Sequence, residues 1–596
     1  MLPAARTGPA GILLFLLLAA TPPLPLSAQV TSPGADTIPR FDSIAPQPLP
    51  EEPAAAARLP APPPEEVTDD TELVDKLRGL WLTARQDGIL VEGRKDPEGL
   101  SIENLPLLDT PVVRARLATR LGGPVTLKRL NELVREIIAI YRDNDLPVVD
   151  VLIPEQDVTT GIVQILVLEG RVEDLRAEGN RWFSDRLILR PIRLQRGGRI
   201  LATPLVEDLN FLNRNPFREV DVYFSPGDAP GFTDVVIKTR DRFPVRFYAG
   251  YEDTGNDITA EERGFAGFNW GNAFGLGHTL NYQFTASPDT TALRSHAGSY
   301  DIPVLRDHRL SFFASYAQAD AGITGAGIPG LATEGTSIQA GLRYRHQLPG
   351  SGPGFRHNGI LGLDFRRVDN DLFSGALTLN AELTEVLHPA LGYALEWNDP
   401  LGGTVRAELT GFFSPGGAGI RNDKDSFEAS RRFADPSYTY ARGSLERRQP
   451  LPAGFEFAAR LSGQVADTNL LSTEQFGIGG WNTVRGYTEF ELRGDQGWFT
   501  NLELYTPPIP LARLFRWEGR QAEVRFLGFW DYGQVANVTL LPGENPDGEL
   551  SSAGAGMRLF LDRHFSARMD YGFQLLDSGF NQRFDSRIHL GLVFSY

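Results

Sequence analysis

The sequence contains no cysteine. Disulfides, a thiolate nucleophile and Cys-ligated zinc or iron-sulfur centres are therefore excluded. Histidine is scarce, with eight scattered residues and no H-E-x-x-H spacing, so no metal centre is expected. G-x-S-x-G and G-x-x-x-x-G-K-[ST] are also missing, which leaves no nucleophile elbow and no phosphate-cradling loop. Gly325, Gly327 and Gly330 do match G-x-G-x-x-G, but Pro329 lies inside the match and no strand-to-helix context surrounds it, so it reads as a loop. Catalysis, a nucleotide and any cofactor are accordingly not expected. Basic residues number 58 against 75 acidic ones, a net charge of −17, and no dense basic run occurs, so nucleic acid is not an expected partner. No window holds the roughly 18 consecutive apolar residues of a membrane-spanning helix.

Glycine (62) and proline (43) are abundant without a fixed period, which points to many turns between many strands. Residues 1–28 read as a secretory signal peptide. Arg6 supplies positive charge, residues 11–20 form a short apolar core, and Leu26-Ser27-Ala28 is the expected cleavage site. Pro22, Pro23 and Pro25 follow that core directly and disfavour a membrane helix. Residues 29–70 read as a Pro-rich linker, with ten prolines between 29 and 64, and should run as an extended tether.

Residues 71–86 carry apolar side chains at Leu73, Val74, Leu77, Leu80, Trp81 and Ala84. The spacing predicts one short amphipathic helix. A strand-helix-helix-strand-strand order follows over 87–169 and recurs over 170–241, an internal repeat with Thr126 and Glu132 opening the best-patterned helix. Helices gathered on one face of a small sheet leave an exposed edge strand, a surface that can bind an extended chain.

From 242 to 596 helical periodicity gives way to alternation. Ile588, Leu590, Leu592, Phe594 and Tyr596 fall on one face, while Arg587, His589, Gly591, Val593 and Ser595 fall on the other. Short connectors (272–277, 303–308, 398–403, 561–565) alternate with long ones (252–262, 318–334, 414–433, 468–495, 536–550). That asymmetry predicts a membrane β-barrel of 16 antiparallel strands, with short periplasmic turns and longer outer loops.

The most informative segment is 476–497, which holds Val484-Arg485-Gly486-Tyr487 in the sixth outer loop, flanked by Gly479-Gly480 and Gly494-Asp495-x-Gly497. It resembles the inward-folding sixth loop of the superfamily of transporters built from POTRA repeats and a barrel. Phe529-x-Asp531-x-Gly533 and Gly554-x-Gly556-x-Arg558 resemble that superfamily's barrel-wall motifs, in order. Pro154-x-Gln156-Asp157, followed by Asn213-x-Asn215-Pro216-x-Arg218, resembles the two POTRA domains of TpsB-type two-partner-secretion transporters, the hemolysin secretion and activation family. Two positions depart from the usual pattern: Asp145-Leu146 replaces a glycine and an aromatic, and Asp253-Thr254 replaces Asp-Asn.

The resemblance implies two periplasmic α+β POTRA domains ahead of a barrel in the outer membrane of a Gram-negative-type bacterium, in contact with its lipids. The implied function is export of a large TpsA-type exoprotein, unfolded in the periplasm, to the cell surface without nucleotide, driven by its folding outside. A barrel-assembly factor of the same superfamily is the alternative, usually with more than two POTRA repeats, and a passive porin explains the repeats and the arginine loop least. The strand phase of 524–533 places Asp531 on the inner face, where a bidentate pair with Arg485 is expected, with Gly486 allowing the loop to turn sharply beside it. In such transporters a helix can occupy the pore, a role open to 71–86.

Overall fold

The computed structural model describes residues 44–48, 59, 69–256, 259–322, 331–351, 354–374, 377–514 and 521–596. The signal segment, most of the Pro-rich linker and the glycine cluster at 325–330 lie outside the described residues.

The first α+β unit is a four-stranded sheet in the order Gly99–Glu103, Gly79–Thr83, Ile162–Glu169, Val149–Leu152. Gly79–Thr83 runs parallel to both of its neighbours. This corrects the helix expected over 71–86, because that stretch forms the strands Glu72–Val74 and Gly79–Thr83 instead. Leu80, Trp81 and Leu82 are all buried, and a strand covered on both faces loses its alternation, leaving an apolar run that fits helical spacing by coincidence. The unit thus starts before residue 87, and no helix remains at 71–86 to enter the pore.

Two helices cover this sheet, Pro111–Ala118 and Leu127–Asp143. Thr110 and Thr126 cap them by accepting from the Val113 and Arg129 N–H groups. Leu133, Ile137 and Tyr141 of the second helix meet Leu80, Leu82, Val163 and Ile165 in one core. The second unit places Arg171–Glu178 parallel to Phe232–Asp241, which pairs antiparallel with Arg218–Pro226. Its helices are Asp185–Leu189 and Ala202–Leu212.

The two units meet at Asp145, which has φ +67°, a left-handed backbone that glycine adopts without strain. Its carbonyl accepts from Ala202 N at 2.9 Å, and its Oδ1 accepts from Thr203 N (2.7 Å) and Thr203 Oγ1 (2.8 Å). The side chain therefore caps the helix of the next unit, which offsets part of the left-handed strain.

The barrel is closed by 16 antiparallel strands, and Val245–Glu252 pairs with Ser586–Ser595 to complete it. The two-residue strand Ile509–Pro510 adds to the strand opposite the twelfth, Gln496–Tyr505. Alternation follows the sequence reading: Leu361, Leu391, Leu409, Val465 and Phe594 are exposed on the outside, whereas Asn269, Gln283, Asp531 and His589 are buried within. The second unit docks on the barrel's short turns. Asn215 Nδ2 donates to the Gly271 carbonyl, Asn272 Nδ2 to that of Trp182, and Arg306 reaches both the Pro191 carbonyl and Asp208.

Candidate functional site

The connector between the eleventh strand, Glu456–Ala466, and the twelfth turns into the barrel as a hairpin, Phe476–Ile478 pairing with Leu492–Gly494. Phe476, Ile478, Val484, Tyr487 and Leu492 pack on Phe499, Val535 and Leu550 of the wall, so apolar burial holds the stem. At the tip Arg485 is 2% exposed and Asp531 fully buried. Asp531 accepts from Arg485 Nε and Nη2, both at 2.8 Å, from the Arg485 main-chain N at 3.1 Å and from Asn501 Nδ2 at 2.8 Å. Both carboxylate oxygens are thereby occupied twice, in the planar geometry that suits guanidinium and that an ammonium group cannot match.

Further charges complete the arrangement. Arg485 Nη1 donates to Glu503 Oε1 at 2.7 Å and lies 3.6 Å from Asp570 Oδ1. Arg558 holds Asp570 at 2.8 and 3.0 Å, and Arg568 Nε holds it at 2.7 Å. Three arginines thus face three carboxylates at the edge of the lumen, with the Arg485 guanidinium 3.6 Å above the Phe529 ring. Strand register builds this pocket, since Asn501 is opposite Asp531, and Asp570 is opposite both Gly556 and His589. The glycines of the wall make room: a Cβ at Gly554 would collide with the Phe529 ring, and one at Gly556 with the Asp570 carboxylate.

The neighbours of Arg485 lock the loop backbone. Gly486 has φ +90°, and a Cβ there would lie 3.0 Å from the main chain of Gly572. Its N–H donates to His589 Nε2 at 3.0 Å, and its carbonyl accepts from Gln574 Nε2 at 2.6 Å. Tyr487 Oη sits 2.7 Å from the Leu576 carbonyl and 2.9 Å from that of Ser551. Val484 is fully buried next to Gly533, where an added Cβ would lie 3.1 Å from the Val484 and Ile478 side chains. At the outer base of the hairpin Asp495 accepts from Arg431, from Leu470 N and from Val538 N, joining three connectors.

A second segment enters the lumen. Ile44 is buried against Ala297 and Ala317. Gln47 N contacts Tyr248 Oη (3.1 Å) and Gln283 Oε1 (3.0 Å), Asn269 Nδ2 donates to the Gln47 carbonyl, and Arg246 Nη1 donates to that of Pro48. The sequence reading placed 29–70 as a tether throughout, and residues 44–48 instead sit inside the barrel wall. Pro-rich composition identified an extended chain and gave no sign of where it runs.

The remaining motif residues have architectural positions. Gln156 exchanges two hydrogen bonds with the Gln164 main chain, both at 2.7 Å, next to Pro154, and the Asp157 side chain accepts from Thr159 N. Asn213 brackets the main chain of Val220, and Asn215 ties the second unit to the barrel. The Pro216 carbonyl accepts from Arg242, and Arg218 donates to the Leu212 carbonyl while lying over the Phe183 ring. Burial lowers the Arg218 pKa to about 10. Sequence reasoning did not single out Glu503, Asn501, Asp570, Arg568 or Gln574; each lies on the inward phase of its strand, and that phase was the available signal.

The sequence family described as haemolysin secretion/activation protein ShlB/FhaC/HecB matches residues 231–352 and 409–559, and the ShlB-type POTRA domain matches 97–170. The heme/hemopexin transporter protein HuxB of Haemophilus influenzae is 24% identical over 450 residues, covering 74% of this chain and 76% of that protein. The outer membrane transporter CdiB of Dickeya dadantii is 22% identical over 398 residues, 63% and 66% of the two chains. The solved structure of CdiB from Escherichia coli shares the fold with a TM-score of 0.62 at 17% identity, covering 93% of this chain and 95% of that one. With POTRA-type units, a closed 16-strand barrel and an inward sixth loop in one chain, this protein belongs to the ShlB/FhaC/HecB family of secretion and activation proteins.

Proposed function

We propose that this chain is an outer-membrane translocator of two-partner secretion, which passes a partner exoprotein from the periplasm to the cell surface. The barrel lies in the outer membrane and its POTRA domains in the periplasm. The observation that carries the reading is the sixth loop, held in the lumen by the buried Arg485–Asp531 pair at the inner end of a cavity that reaches the second POTRA domain. A passive pore needs no such structure.

The exoprotein arrives unfolded and adds a strand to a POTRA edge, where main-chain hydrogen bonds give affinity without demanding a sequence. The strand Arg218–Pro226 is at the edge of its sheet, beside the barrel turns, and Tyr223 on it is exposed. Asn213 occupies the Val220 main chain, so the edge open to a partner starts at Val222. Beyond that edge the chain enters the lumen, and Arg485, Asp531, Gly486 and Tyr487 hold or release the loop that fills it. Folding of the emerging chain outside supplies direction.

The experiment is secretion of the partner with Val222→Pro and Phe224→Pro in place. Proline removes edge donors and should abolish export while the barrel stays inserted. Normal export by both variants would contradict strand capture at this edge.

A further inference from the structure

In the second unit the loop Asn180-Arg181-Trp182-Phe183 is held in one shape by Asp241. Its carboxylate accepts from three consecutive main-chain N–H groups, those of Arg181 (3.0 Å), Trp182 (2.7 Å) and Phe183 (2.9 Å). Phe183 turns into the core of the unit, whereas Trp182 stays 38% exposed. The Trp182 ring meets Phe243 edge to face at 5.1 Å, and the Arg181 guanidinium lies 4.9 Å from the Trp182 ring centre. Among the described residues the indole N–H has no acceptor and the Arg181 side chain no ion pair. We propose that Arg181 and Trp182 form a membrane anchor, through which the second POTRA domain binds phospholipid headgroups of the inner leaflet of the outer membrane.

Strand phase locates the patch. Arg246 and Tyr248 face the lumen, where they bond to residues 48 and 47, so Phe247 and Phe243 fall on the lipid-facing phase, and both are exposed. The Pro244 carbonyl accepts from Gly271 N at 2.7 Å, so pairing continues past Val245 and keeps Phe243 in that phase. Val245 is opposite Trp270. Phe243, and the Trp182 ring on it, therefore sit level with the turn at 272–277, where Asn272 Nδ2 donates to the Trp182 carbonyl at 2.9 Å.

That turn is apolar at its tip. Phe274 is 66% exposed at φ +57°, a backbone that bulky side chains rarely adopt, and it packs on Trp270 at 5.1 Å. Leu276 beside it is also exposed. Water at this height would leave Phe243, Phe274 and Leu276 uncovered, whereas the edge of a bilayer buries them. Aromatic rings with a free polar edge gather at headgroup level, and a guanidinium binds phosphate through paired hydrogen bonds while its stem lies along apolar surface. Trp182 thus extends the barrel's aromatic girdle from the periplasmic domain, and it adds a lipid contact to the Asn215 and Arg306 bonds that dock this unit.

The inference rests on the barrel's place in the outer membrane and is independent of what the chain exports. Trp182→Cys, Arg181→Cys and, on an exposed position of the first unit, Val112→Cys each carry one environment-sensitive fluorophore, since the chain has no native cysteine. The full-length variants are reconstituted into nanodiscs of phosphatidylethanolamine and phosphatidylglycerol. Lipids bearing a nitroxide on the headgroup should quench the labels at 181 and 182 about twofold more than the label at 112, and aqueous iodide should show the reverse order. The Arg181 position keeps the test open if the tryptophan is needed for folding. Iodide quenching at 181 and 182 equal to that at 112 would overturn the proposal. Protection of both positions from both reagents would also overturn it, because protein would then cover the patch.

Discussion

Two segments occupy the lumen and are held there in different ways. The sixth loop ends in Arg485, whose guanidinium contacts the buried Asp531 and the partly exposed Glu503, and its stem is packed into the wall. Residues 44–48 rest on neutral hydrogen bonds that Gln47 N donates to Tyr248 and Gln283 and that the Gln47 carbonyl accepts from Asn269, on one contact with Arg246, and on the buried side chain of Ile44. Neutral hydrogen bonds contribute roughly 0.5–1.5 kcal/mol each, whereas breaking one partner of a buried ion pair costs about 3–5 kcal/mol. The loop is therefore held more strongly than the described residues 44–48.

The largest effect is expected at the charge set. Arg485→Ala should remove most secretion while leaving the barrel inserted, and Arg485→Lys should rescue little, because an ammonium group cannot satisfy both Asp531 oxygens. Secretion and heat-modifiability on gels read the two properties separately. Retention of normal secretion by the lysine variant would reduce the pair to a simple charge contact.

A smaller loss is expected from Gly486→Ala. The substitution places a Cβ against Gly572 at φ +90° and should cost about 1–3 kcal/mol, seen as a lowered unfolding temperature with partial secretion. The smallest effect belongs to Gln47→Pro, which removes one main-chain donor from the lumen segment. Stability should change by about 1 kcal/mol or less with secretion retained. The absence of native cysteine allows a direct comparison of the two segments. Ile44→Cys should react with a thiol reagent on a timescale of minutes to hours, and Val484→Cys should resist it, since both are buried but only the second is locked. Equal reactivity would erase the distinction.

The barrel and its sixth loop were legible in the sequence because both rest on local rules. Alternation put Asp531 on the inner face, and the glycines beside Arg485 announced a tight turn. Gly79–Thr83 was misread because a strand buried on both faces has no alternation, and its apolar run imitated a helix. Glu503 and Asp570 were not distinguished because many carboxylates share the inward phase, and only closure of the barrel brings these two to Arg485. Asp145 read as a departure from the resemblance; its backbone is left-handed, a conformation easiest for glycine, and its side chain accepts from Thr203 N.

The most direct test of the account is a double-mutant cycle of Arg485→Ala and Asp531→Ala, read by secretion of the partner and by thermal unfolding of the inserted barrel. If the two groups act as one buried lock, each single substitution should produce nearly the full loss and the double variant should be little worse than either. Strictly additive losses, or normal secretion by either single variant, would contradict it.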